Sequence, residues 1–199
     1  MLNKVLAILL TSAAISGIAF LFWQQELQYQ LPTPVPKGYK SIDTGTYISL
    51  PEEIQIKSKK PVLIHFFNPE CPCSRFNIQH FITLTRNYAD KMDFYAVVSQ
   101  KEEIESAREL LKDTNIGVVT DENQSLAKKC GVYSTPQAVV IDEQSQLYYR
   151  GNYNRARYCT QRQTSYAQMA IEQVIAHNPP PYFDTLATRS YGCQLPERN

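Results

Sequence analysis

Cys71-Pro72-Cys73 places two thiols on either side of a single proline. A thiolate is both the nucleophile of disulfide exchange and a soft metal ligand, so this spacing points to redox chemistry or to Cu(I) handling. The apolar run Pro61-Val62-Leu63-Ile64-His65-Phe66-Phe67 comes just before it, and a stretch with helical periodicity follows. Read as a helix start, Cys71 is the N-cap, Pro72 is N1 and Cys73 is N2. Proline suits N1 because its missing N–H has no intrahelical partner there. The partial positive charge and unpaired N–H groups of a helix N-terminus favour a thiolate, and Arg75 adds positive charge nearby. Cys71 is therefore the expected nucleophile. Cys73 is the second candidate. Residues two apart on a helix point roughly 200° apart, so a Cys71–Cys73 bridge needs Cys71 outside the helix proper. Its ring would be small, strained and readily reduced.

The elements that must hold these sulfurs begin with the N-terminus. Lys4 is followed by an uncharged run from Val5 to Trp23, which as a helix spans roughly 28 Å, about the hydrocarbon thickness of a bilayer. Phe20-Leu21-Phe22-Trp23 continues the apolar run past the small residues Gly17-Ile18-Ala19. That favours a retained signal-anchor over a cleaved signal peptide. The expectation is a cytoplasmic end at 1–4, a transmembrane segment at 5–23 and an exported remainder. Residues 24–60 read as a proline-rich, semi-rigid spacer with a short leading strand around Gly45.

The chain has 199 residues, of which 43% are hydrophobic and 20% charged, enough for one ordinary folded domain. A net charge of +1 argues against nucleic acid as a partner. The pattern predicts strands at 61–67, 92–98, 117–120, 138–141 and 147–150, the last two forming a hairpin. It predicts helices at 74–90, 101–113, 123–130 and 163–177, the third stopped by Gly131. This is an α/β chain with a mixed sheet and helices on both faces, at 61–178, followed by a cysteine-containing tail at 179–199.

Five cysteines leave at least one outside any intramolecular pair. Cys130 reads as a small core residue. Cys159 lies in a loop rich in Arg and Tyr, and Cys193 lies in the tail. In an oxidising compartment these two could form a structural bridge, or Cys193 could swing to Cys71 as the resolving thiol.

The strand before Cys71, the Thr135-Pro136 pair before the hairpin and the closing helix resemble the thioredoxin fold. Cys71-Pro72-Cys73-Ser74-Arg75-Phe76, the stretch Gly131 to Ala138 and the late Gly192-Cys193 look most like the redoxin, peroxiredoxin-like (AhpC/TSA-type) branch. The resemblance implies a thioredoxin-like three-layer domain behind the transmembrane helix, in a bacterial inner membrane and facing the periplasm. It implies thiol-disulfide exchange with protein or small-molecule thiols and disulfides, and no cofactor. Thr135-Pro136 resembles the family's cis-proline loop, which would set the Thr135 backbone beside Cys71 to pair with an extended substrate. His65 occupies the place of the family's buried acidic residue, where a neutral imidazole could pass protons; it also fits a core histidine. Ser74 stands where thioredoxins carry a second cysteine.

Two alternatives follow from the same fold. A Cu(I) chaperone would use paired thiolates, but His80 lies about 10 Å along the helix from Cys73, and His177 closes the last helix. A thiol peroxidase would usually carry Thr or Ser three residues before its cysteine, and Asn68 stands there.

Overall fold

The computed structural model describes residues 2–25, 31–54, 60–156 and 159–196. The first residue, parts of the spacer (26–30 and 55–59) and the loop residues Arg157 and Tyr158 lie outside them. The chain forms two compact units, Met1–Leu31 and Pro32–Asn199. The first holds helix α1, Leu2–Gln25. Its stretch Asn3–Gln24 is long and apolar enough to cross a membrane.

In the second unit, strand β1 (Val62–Phe66) leads into helix α2 (Pro72–Tyr88). Strand β2 (Asp93–Val98), helix α3 (Glu103–Leu110), strand β3 (Gly117–Thr120) and helix α4 (Ser125–Cys130) follow. The short strand β4 (Ser134–Thr135) precedes the hairpin of β5 (Gln137–Ile141) and β6 (Leu147–Gly151). Helix α5 (Tyr166–Ile175), the one-turn helix α6 (Thr185–Thr188) and strand β7 (Cys193–Gln194) complete it. The main sheet has the order β3-β2-β1-β5-β6. Strands β1, β2 and β3 run parallel, and β5 and β6 are antiparallel to their neighbours.

Every residue of β1 and β5 is buried, as a central strand covered on both faces must be. Their side chains alternate between two cores. Leu63, Ala138 and Val140 face Phe81 of α2 and Ile171 of α5. Val62, Ile64, Phe66, Val139 and Ile141 face Leu126 and Ala127 of α4. Helices thus cover both faces. Asn77, Phe81 and Leu84 lie on the buried side of α2, at the spacing that the periodicity predicts.

Three elements differ from the sequence reading. The leading strand around Gly45 is absent: Gly45 takes a left-handed turn at φ +84, and only an isolated bridge joins Tyr47 to Gln146. Residues 32–54 are more than a spacer, because Ile48 and Ile54 are buried in the second core. Strands β4 and β7 form a separate two-stranded ladder that the sequence pattern does not signal.

Candidate active site

The loop from β1 to α2 is built by short-range hydrogen bonds. The Asn68 side-chain oxygen accepts from the Glu70 N–H at 2.7 Å and the Cys71 N–H at 3.2 Å. This is the self-bonding that makes Asn a turn residue. The Asn68 N–H donates to Ser74 Oγ at 3.2 Å, so the residue in the second cysteine's place braces the loop. Arg75 Nε donates to the Pro69 carbonyl at 3.2 Å, which ties its charge to this loop. Cys71 is the N-cap of α2, with φ −72° and ψ 125°, and Pro72 opens the helix. The Arg75 N–H closes the first turn on the Cys71 carbonyl at 3.1 Å.

Cys71 forms a disulfide with Cys193, with the two Cα atoms 6.4 Å apart and the residues separated by 122 positions in the chain. Of the pairings considered from sequence, this is the one in which the tail cysteine reaches Cys71, in place of Cys71–Cys73 or Cys159–Cys193. Cys73 is not the partner of Cys71: inside the first turn of α2 it lies on the buried side with Ser74 and Asn77. Cys159 does not meet Cys193. Its sulfur accepts from Asn77 Nδ2 at 3.2 Å, and burial pushes its thiol up to about 11.

The tail reaches Cys71 by way of the proline loop. The Thr135–Pro136 peptide bond is cis. Strand β7 pairs antiparallel with β4, placing Thr135 opposite Cys193 and Ser134 opposite Gln194. The Thr135 carbonyl oxygen lies 4.0 Å from Cys71 Sγ; the sulfur is bonded to Cys193 and has no proton to donate. Cys71, Ser134 and Thr135 are all buried.

His65 lies on β1, fully buried, with its ring stacked on Phe67 and Phe81. Its Nδ1 shares a hydrogen bond with the Tyr153 hydroxyl at 2.8 Å. Its Nε2 is buried without a hydrogen-bond partner among the described residues. Burial lowers its pKa to about 3, so the ring is neutral across the physiological range. Cys130 lies in the second core, where burial pushes its thiol up to about 12. The other histidines stand apart: His80 Nε2 is 3.4 Å from Ser165 Oγ, and His177 Nδ1 is 3.8 Å from a Glu143 oxygen. Among the described residues, no three His, Cys, Asp or Glu side chains gather into a metal-holding group.

Sequence reasoning passes over Asn68 as a turn builder, Tyr153 as the partner of His65, and Asn77 as the partner of Cys159. Asn68-Pro69 is a turn signal that could have shown the first. Tyr153 and Asn77 become visible only through packing.

The model of a family described as a domain of unknown function (DUF6436) matches residues 40–195. The chain belongs to that family. The match takes in β1 through β7, with Cys71, the proline loop and Cys193 inside it. No curated protein matches the chain. Among solved structures, a hypothetical protein from Sinorhizobium meliloti 1021 superposes with a TM-score of 0.65 at 22% identity, over 78% of this chain and 94% of that one. An uncharacterized conserved protein from Geobacillus kaustophilus superposes with a TM-score of 0.62 at 19% identity, over 83% of this chain and 98% of that one. Both likenesses concern the fold of this DUF6436 domain. A thioredoxin domain of a thiol-disulfide oxidoreductase from Bacteroides vulgatus gives a TM-score of 0.48 at 16% identity, over 60% of this chain and 96% of that one.

Proposed function

We propose that this chain is a membrane-anchored thiol-disulfide oxidoreductase, with α1 in the inner membrane and the folded domain in the periplasm. Cys71 is its nucleophile and Cys193 its resolving thiol. The observation that carries this reading is the Cys71–Cys193 disulfide at the N-terminus of α2, beside the proline loop. The Cys-Pro-Cys site supports a place in the redoxin, peroxiredoxin-like branch.

The cycle balances as two-electron exchange. A dithiol reductant attacks Cys193, the less buried residue of the pair. The Cys71–Cys193 bond breaks, Cys71 leaves as a thiolate at the positive end of α2, and the second thiol of the reductant then frees Cys193. The Cys71 thiolate attacks a partner disulfide. One partner sulfur leaves as a thiolate and takes a solvent proton, while the other is held in a mixed disulfide. Cys193 attacks Cys71 of that mixed disulfide, the second partner sulfur leaves, and the Cys71–Cys193 bond re-forms. The net result is one partner disulfide reduced and one dithiol oxidised; run in reverse, the same steps oxidise a partner. Cys73 is not needed for this balance and supports the buried face of α2. His65 takes part as a neutral ring that positions the Tyr153 hydroxyl beneath the site.

The test is stopped-flow reduction of a disulfide-bonded protein by the reduced full chain. The wild type should form a mixed disulfide and resolve it, whereas Cys71→Ser, folded as judged by circular dichroism, should form none. Unchanged turnover in Cys71→Ser would refute the assignment.

A further inference from the structure

The tail that carries Cys193 is a surface strap over a buried nucleophile. Cys71, Ser134 and Thr135 beneath it are buried, whereas Tyr191, Gly192 and Cys193 are half-buried and Gln194 is exposed. Hydrogen bonds hold the strap on both edges. On one side β7 pairs with β4, and the Leu195 N–H donates to the Tyr133 carbonyl at 3.0 Å. On the other, the Thr33 N–H donates to the Ser190 carbonyl at 2.9 Å, and Thr33 Oγ donates to the Gly192 carbonyl at 3.0 Å. Gly192, at φ +134, lies directly on the proline loop: a Cβ there would collide with the Thr135 carbonyl oxygen and sit 3.4 Å from Pro136 Cδ. The strap can descend this far only because residue 192 has no side chain. An extended segment added to a strand edge, its cysteine bonded to the nucleophile, is the form a mixed disulfide with a protein partner would take. Here one chain supplies both halves.

We propose that Ser190–Leu195 is an internal substrate strand, which competes with the partner's strand for the edge of β4. This rests on Cys71 being the nucleophile. In the oxidised chain the strap is covalently held on the edge. Once a dithiol has cleaved Cys71–Cys193, hydrogen bonds and the burial of Leu195 hold it without a covalent link, and an extended disulfide-bearing segment of a protein partner can replace it. When Cys193 then attacks Cys71 Sγ, the partner's sulfur leaves as a thiolate and the strap re-forms its ladder with β4. Resolution of the mixed disulfide and ejection of the partner's strand are one event. The substrate class this favours is an extended protein segment; a small disulfide pairs with no strand and does not compete with the strap.

The experiment uses the full chain with Cys193→Ser, in which Cys71 can attack but the tail cannot resolve, and compares it with Cys193→Ser/Gly192→Val. Valine cannot occupy the space between the strap and Thr135, so the strap is unseated. Two probes carry the same aromatic disulfide, one on the cysteine of a short extended peptide and one on N-acetylcysteine amide. Release of the coloured thiolate reports attack by Cys71. Unseating the strap should raise the ratio of peptide rate to small-probe rate by about tenfold. An unchanged ratio with a reactive Cys71 overturns the proposal and leaves the oxidoreductase reading standing. No release from either folded variant overturns both. Amide exchange in the wild type gives a second readout that needs no variant. The Leu195 and Thr33 amides should be protected in the oxidised chain and exchange at least about tenfold faster after reduction; equal protection in the two states overturns the proposal.

Discussion

Cys71 caps the N-terminal end of α2, and Cys130 is the last residue of α4. Both are buried cysteines at helix ends, and they have opposite surroundings. Cys71 meets the positive end of a helix dipole, with the carbonyl of Thr135 and a second sulfur within reach. Cys130 meets the negative end of its helix, inside the core formed with Leu126 and Val132. Burial and then the Asp121 charge push its thiol up to about 12, so it stays protonated. On the proposed function, burial alone does not silence a cysteine here: the helix end it occupies and the strand that can bring it a partner distinguish Cys71 from Cys130.

The largest expected effect would break this contrast directly. Replacing Cys71 by Ala should lower disulfide exchange by ~10³-fold or more, the scale expected when a covalent nucleophile is removed. Replacing Cys130 by Ala should leave exchange within about twofold and cost about 1 kcal/mol of stability, from the cavity left by one sulfur. Turnover assays paired with denaturant melts would read both quantities. Equal loss of activity in the two variants would mean that helix position does not distinguish them.

A second prediction separates attack from resolution. Cys193→Ser should still release one equivalent of thiolate from a disulfide substrate and then stall, with steady turnover down by roughly 10²-fold. Mass spectrometry should find the partner attached at Cys71. Continued rapid turnover would pass the resolving role to another thiol, with Cys73 nearest in sequence.

Acid titration gives a smaller effect, on the face of the sheet below the site. Burial lowers the His65 pKa from 6.5 to about 3. Between these values the unfolded chain binds a proton that the folded chain does not, so this contribution to stability is complete above pH 6.5 and is lost as pH falls. The slope should approach about 1.4 kcal/mol per pH unit within that window. His65→Gln should flatten the component in denaturant melts across the same range. A wild type with no loss of stability in this window would mean that His65 is not held neutral by burial.

Most of the fold is legible in the sequence, for physical reasons. Strands β1, β2, β5 and β6 are short apolar runs bounded by turn residues, and Phe81 and Leu84 mark the buried side of α2 by period alone. Cys71 as an N-cap follows from proline's preference for the first helical position. What stays hidden depends on distant parts of the chain. Strands of two residues such as β4 and β7 have no periodicity to read. The partner of Cys71 is fixed by the path of a tail 122 residues away, anchored by Thr33 and seated by the bare backbone of Gly192. The strand expected around Gly45 fails because the turn there leaves Tyr47 a single bridge. Tyr153 meets His65 only because the chain after β6 folds back over α2 and β1.

The most direct test of the account is a disulfide map of the full chain purified without reductant, with thiols blocked by alkylation before proteolysis. The account predicts one linked pair of peptides, joining Cys71 to Cys193, with Cys73, Cys130 and Cys159 recovered alkylated after unfolding. A Cys71–Cys73 or a Cys159–Cys193 linkage in place of that pair would contradict it.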